Sequence, residues 1–208
     1  EIGRRLGKKR LYQYVQNFGL TEKTGIDLPG ESCGIMFDYK NFHELEQATV
    51  AFGQGISVTP LQLVTAICAC VNGGYLLQPH ILKEISNSSN NEIVEQVKKK
   101  VKRHVIKEET SKKVRDALES VVTDGGGRNA YIDGYRIGGK TGTAQKAVNG
   151  SYVGSGYILS FVGVAPIDDP QIVLYVAMDN PKNCIQYGGT TVAPIARKMF
   201  VDILPEIE

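Results

Sequence analysis

Gly138-Gly139-Lys140-Thr141-Gly142-Thr143-Ala144 is the stretch from which the rest of this chain is best read. One lysine and two threonines alternate with small residues, and the surrounding Arg136 to Gln145 segment has the composition of a strand. Successive side chains of a strand point to opposite faces. Thr141 and Thr143 therefore share a face, and Lys140 takes the other unless the strand twists there. The glycines are expected to let a peptide backbone come close enough to pair with the strand edge as an added strand. Two hydroxyls and an ammonium suit a carboxylate-bearing peptide, and a backbone N–H near Thr143 can donate to a developing oxyanion. An ordinary exposed strand with a glycine bulge can carry the same triplet, so the neighbouring sequence must discriminate.

Downstream, Tyr157 to Val164 and Ile172 to Met178 are also strand-like and are separated by Gly-, Asn- or Pro-rich turns, which predicts an antiparallel meander. Pro181 to Gly189 reads as a loop, and Thr190 to Ile203 as a closing helix that tolerates Pro194 near its start. Upstream, apolar residues from Ile2 to Phe18 recur at helical spacing and end at Gly19. A short helix is expected from His43 to Val50. Thr59 and Pro60 then open a second, apolar on nearly every side, from Leu61 to Val71. Leu76 to Ile85 and Ile93 to Val97 read as two strands, Glu109 to Val122 as an amphipathic helix, and Gly125-Gly126-Gly127 as a flexible hinge. Helices first, then a sheet, then a helix returning to cover it make the class α+β. The expected parts are 1–75, mainly helical; 76–135, hairpin and helix; and 136–208, the Lys-Thr-Gly sheet and its closing helix.

With 42% hydrophobic residues in 208, the chain can bury a substantial core. Its 24 basic and 22 acidic residues nearly cancel to +2, which gives no electrostatic reason to expect nucleic acid as a partner. The most basic stretch, Lys98 to His104, reads as a solvated strand or loop face. No apolar run reaches the length of a membrane helix, roughly 20 residues, and the abrupt Glu1-Ile2-Gly3 start looks like a cut.

Several ordered blocks resemble the class B, monofunctional penicillin-binding proteins. They are Gly25-Ile26-Asp27-Leu28-Pro29-Gly30-Glu31, Gly53 to Gln62, Gly139 to Gln145, Phe161 to Pro166, Asp179-Asn180-Pro181, and Tyr187-Gly188-Gly189 followed by Ala193-Pro194. The resemblance covers nearly the whole chain and leans toward division- and spore-cortex-type members. It implies the penicillin-binding-protein/serine β-lactamase-like fold and a serine D-Ala-D-Ala transpeptidase or carboxypeptidase. Such an enzyme is held at the extracytoplasmic face of the membrane, acts on the peptidoglycan stem peptide, is acylated by β-lactams, and works beside a glycan polymerase. It also implies site roles. Lys140, Thr141 and Gly142 belong to the catalytic element, and Thr141, Gly142, Thr143, Tyr187 and Gly188 to substrate binding. The alternatives are a non-catalytic peptidoglycan- or protein-binding module and a β-lactamase-related hydrolase.

One departure is serious. The family's S-x-x-K serine occurs nowhere in the 208 residues, and the S-x-N matches at Ser88-Ser89-Asn90 and Ser89-Asn90-Asn91 fall in a polar turn far from that motif's place. The chain is therefore expected to be the C-terminal part of a transpeptidase domain and to be inactive alone. No cofactor is needed for the chemistry. Cys33, Asp38, His43 and Cys184 are competent zinc ligands and form a candidate structural site, set against the plainer reading of unrelated free thiols and a surface histidine and against a Cys33–Cys184 disulfide in an oxidising compartment. Cys68 and Cys70, inside the apolar helix, read as core.

Overall fold

The computed structural model describes residues 1–146, 152 and 156–207, and the chain divides into two compact units, Glu1–Lys107 and Glu108–Glu208. The hairpin strands thus stay with the helices before them, while the helix that follows them goes with the sheet. Neither the 75/76 nor the 135/136 boundary drawn from sequence coincides with this division.

In the first unit the expected Ile2–Phe18 helix is two helices, α1 (Ile2–Leu6) and α2 (Lys8–Asn17). Gly7 separates them at φ 82°, a backbone conformation that glycine adopts without a Cβ penalty. The apolar spacing runs across the break, which is why periodicity alone misses it. α1 crosses α3 (Glu44–Val50) closely: Gly3 faces the Ala51 methyl, and the Gln47 side-chain amide donates to the Gly3 carbonyl at 2.8 Å. Val15, Phe42 and Val50 form the core here, with Leu11, Tyr12, Leu20, Met36 and Ile56 packed around them.

α4 (Pro60–Val71) begins as expected. Thr59 accepts from the Gln62 amide at 3.1 Å, while the Gln62 side chain accepts from the Thr59 amide at 2.9 Å. These are the reciprocal bonds of a capping box. Gln62 is almost fully buried, and it also accepts from Gly34 N–H and donates to the Glu22 carbonyl.

The expected Leu76–Ile85 strand is interrupted after Leu77, where Gln78-Pro79 follows. β1 (Tyr75–Leu77) pairs antiparallel with β4 (Val101–His104), and β2 (Glu84–Ser86) pairs antiparallel with β3 (Ile93–Gln96). β4 comes from the basic stretch, and only part of that stretch is solvated. Lys102 reaches Glu22 at 3.0 Å and Arg103 pairs with the same carboxylate, whereas Lys98, Lys99 and Lys100 are exposed.

The second unit opens with α5 (Glu108–Thr123) and continues into a three-stranded antiparallel sheet. Its strands are β5 (Gly138–Gln145), β6 (Tyr157–Ala165) and β7 (Ile172–Asp179), in that spatial order. This is the expected meander. The closing helix is divided into α6 (Gly188–Thr191) and α7 (Ala193–Ile203), with Pro194 in the first turn of α7. α7 buries Ala193, Ala196 and Phe200 against Leu159 and Phe161 of β6, joined by Val122 of α5 and by Ala130, Ile132 and Ile137. Among the described residues no helix is long and apolar enough to cross a membrane.

Candidate active site

β5 is an edge strand, pairing only with β6 among the described residues. Lys140 lies opposite Val162, Thr141 opposite Phe161, and Thr143 opposite Leu159. The fully buried Phe161 and Leu159 face α7, so Thr141 and Thr143 share that face, as strand alternation requires. Lys140 is exposed and its ammonium donates to the Thr141 carbonyl at 2.6 Å, so its side chain lies along its own strand.

The glycines of this strand do not leave open space for a ligand. A Cβ at Gly138 would strike Ile167 and Leu118, one at Gly139 the Phe161 ring, and one at Gly142 the Ser160 hydroxyl. What a missing Cβ frees at each position is occupied by the protein's own packing. The expected access for a peptide backbone therefore rests on the unpaired side of β5, where a strand can be added.

The loop before α6 covers the threonine face. Gly188 N–H donates to Thr143 Oγ1 at 3.3 Å. A Cβ on Gly188 would lie 2.5 Å from the Ser160 carbonyl and 2.6 Å from that of Gly142, so only glycine fits here. Tyr187 is partly exposed, and its hydroxyl lies over Gly126. The Asn129 side-chain amide donates to the Gly189 carbonyl at 2.8 Å. Gly127 N–H donates to the Val121 carbonyl at 2.9 Å. The triglycine segment is thus a packed turn, and the reading of it as a flexible hinge is corrected. Gly142, Thr143, Tyr187 and Gly188 meet in this one patch, Thr141 shares its face of β5, and Lys140 alternates to the other face of the strand. Gly126 and Asn129 carry no sequence signal for joining it, because their partners lie about 60 positions downstream. A groove of about 370 Å³ lined by residues including Glu119, Tyr131, Tyr135 and Arg136 lies elsewhere on the unit and touches none of the expected site residues.

A penicillin binding protein transpeptidase domain family model matches residues 1–200. The chain belongs to that family. Among curated relatives, it is 54% identical over 207 residues to stage V sporulation protein D of Bacillus subtilis, covering 100% of this chain and 32% of that protein. It is 32% identical over 201 residues to the probable peptidoglycan D,D-transpeptidase PenA of Neisseria meningitidis, covering 96% and 32%. The chain thus spans about a third of the length of these relatives. Among solved structures, the apo transpeptidase domain of Burkholderia pseudomallei penicillin-binding protein 3 superposes with TM-score 0.85 at 32% identity, over 100% of this chain and 60% of that one. Mycobacterium tuberculosis penicillin-binding protein 3, complexed with aztreonam, gives 0.85 at 30% identity, over 98% and 47%. The α+β transpeptidase fold expected from the sequence is the fold of these neighbours.

Other blocks that carried the family resemblance turn out to be structural. The Asp27 carboxylate accepts from Ile81 and Leu82 N–H at 2.8 and 2.9 Å, which hold it below the usual carboxylate range. Glu31 accepts from the Thr24 hydroxyl and from Thr24 and Gly25 N–H. Burial opposes its charge, and these bonds outweigh burial to lower its pKa. Both acids staple loops to the first unit.

Among the described residues no three His, Cys, Asp or Glu side chains gather where a metal ion could sit, so Cys33, Asp38 and His43 do not converge within the first unit. Cys33 is exposed and lies 3.5 Å from the Gln62 amide, and the His43 backbone N–H donates to Glu46 as α3 begins. Cys184 packs against the core of the second unit. None of the four cysteines forms a disulfide. Burial raises the pKa of Cys68 and pushes Cys70 up to about 11, although both are half-buried and neither belongs to the fully buried core expected of them.

Proposed function

We propose that this chain forms the Lys-Thr-Gly wall of a peptidoglycan D,D-transpeptidase active site, completed by a serine-bearing segment that precedes it in the full-length protein. The observation that carries the reading is the Thr143 hydroxyl. It shares a face with Thr141 on a strand edge open to a peptide, and its oxygen is already engaged by Gly188 N–H. A hydroxyl whose oxygen accepts one bond keeps its hydrogen to donate, and a carboxylate can only accept. Thr141 and Thr143 thus suit the terminal carboxylate of a D-Ala-D-Ala stem, with the peptide lying along β5.

In the reaction, the serine oxygen attacks the carbonyl carbon of the penultimate D-alanine. The C–N bond breaks, and the terminal D-alanine leaves with a proton on its nitrogen. An amine of a second stem then attacks the resulting ester, the C–O bond to serine breaks, and the proton that the amine loses goes to the serine oxygen. If water replaces the amine, the same ester yields carboxypeptidase activity. Lys140 contributes positive charge and proton traffic in the cleft, and the β5 backbone contributes to stabilising the oxyanion. Tyr187 and Gly188 border the bound peptide.

A penicillin would enter as a stem mimic, as the solved aztreonam and ampicillin complexes of the M. tuberculosis relative suggest. The likeness to stage V sporulation protein D supports a sporulation role. The class B penicillin-binding-protein resemblance implies, for the full-length protein, a membrane anchor, an extracytoplasmic catalytic domain and a glycan polymerase as working partner.

The test is labelling by a fluorescent penicillin. The full-length protein should be labelled covalently and Lys140→Ala should lose most of that labelling, while the isolated 208-residue chain should remain unlabelled. Labelling of the isolated chain would sink the fragment reading, and failure to label the full-length protein would sink the transpeptidase reading.

A further inference from the structure

Asn129, in the turn after α5, and Thr143, on β5, hold the two successive residues that open α6. Asn129 donates to the Gly189 carbonyl at 2.8 Å, and one residue earlier Gly188 N–H donates to Thr143 Oγ1 at 3.3 Å. Gly126 completes the seat. A Cβ there would overlap the Tyr187 hydroxyl, and a Cβ on Gly189 would overlap the Gly126 carbonyl. The seat is itself anchored, because Ala130, next to Asn129, is fully buried in the core.

We infer that Asn129, backed by Gly126, is a positioning residue that acts through Gly189 and Gly188 to orient the hydroxyl of Thr143 toward the substrate carboxylate. The inference rests on the transpeptidase reading above. A hydroxyl rotates freely about its C–O bond, and only a donor fixed on its oxygen restricts where its hydrogen points. Gly188 is that donor, and it carries no side chain of its own to hold it in place. Its position depends on close packing beneath it and on the Asn129 amide beyond it. Without that amide the Gly189 carbonyl turns to water, and the Gly188 N–H is held less firmly on Thr143.

The experiment uses the full-length protein and measures the second-order rate of acylation by benzylpenicillin and by its methyl ester. Asn129→Ala removes the amide, and Asn129→Asp keeps the shape while replacing the donor with an acceptor. Both should slow acylation by the free acid about 3- to 10-fold, the effect of one lost hydrogen bond, and change the ester rate by less than about 2-fold. In a Thr143→Ala background Asn129→Ala should cost nothing further, since the two residues act on one interaction. Gly126→Ala, which displaces Tyr187, should reproduce the acid-selective loss and carries the test should the Asn129 variants fail to fold. Overturning results are a wild-type rate in Asn129→Ala, an equal loss with acid and ester, or losses that multiply in the double variant. Absence of any acylation in the unsubstituted protein would instead refute the transpeptidase reading beneath.

Discussion

Gly188 N–H donates to the Thr143 hydroxyl oxygen at 3.3 Å, while the Gly188 Cα faces the backbone carbonyls of Gly142 and Ser160 so closely that no side chain fits between them. One residue thereby fixes a hydroxyl and seals the loop to the sheet. The two roles separate under substitution.

Thr143→Val removes the hydroxyl at nearly constant volume and strands the Gly188 amide, whereas Thr143→Ser keeps the oxygen. A hydrogen bond to a carboxylate contributes about 1.5–3 kcal/mol, so acylation of the full-length protein by a carboxylate-bearing β-lactam should fall roughly 10- to 100-fold in the valine variant. The serine variant should stay within about 3-fold of the unsubstituted rate. Equal losses in both would show that the methyl group, not the hydroxyl, matters.

Gly188→Ala acts through packing. Its Cβ would press on two carbonyl oxygens that are fixed in the β5–β6 ladder and cannot yield as a side chain would. Overpacking of this kind costs about 1–3 kcal/mol. A thermal melt of the 208-residue chain should show the loss directly, and a melting temperature equal to that of the unsubstituted chain would mean that the loop moves away at no cost.

Acid should loosen the first unit. Asp27 and Glu31 both have pKa values lowered in the folded chain by the bonds they accept. Each therefore contributes stability that is present above its unfolded pKa, near 4, and is lost as pH falls through the lower folded value. Asp27→Asn should be less stable than the unsubstituted chain at pH 7, and the gap should close as both are titrated into acid. Denaturant midpoints measured across that range decide it, and a gap independent of pH would remove Asp27 from the account.

How much of this was legible in advance depends on the range of the interaction. The β5–β7 meander and α7 are written locally, in period-two alternation, turn residues and a proline at a helix start. The capping box of Thr59 and Gln62 is likewise local, with its partners three residues apart. The break at Gly7 is masked because the apolar spacing continues through it. β4 is masked because charge in Lys102 and Arg103 suggests solvent, while Glu22, some 80 positions earlier, supplies a partner for both. The Lys-Thr-Gly element was legible as a motif, but the seat formed by Gly126 and Asn129 arises only when distant loops meet. The converse holds for Cys33, Asp38 and His43, suitable ligand types within one short stretch that do not gather among the described residues.

Thiol reactivity distinguishes Cys33 from Cys68 and Cys70 and probes the zinc set at once. Cys33 is exposed, whereas Cys70 is pushed up to about 11 by burial, which leaves roughly 0.03% of it as thiolate at pH 7.5. An alkylating reagent applied to folded chain purified without chelator should therefore modify Cys33 first, with Cys68 and Cys70 reacting only after denaturant is added. Peptide mass spectrometry after brief labelling resolves the order. A zinc ion on Cys33 would slow its labelling and would appear as one metal per chain by elemental analysis. Because Cys33, Asp38 and His43 do not gather, the expected outcome is fast Cys33 modification that is unchanged by prior treatment with chelator.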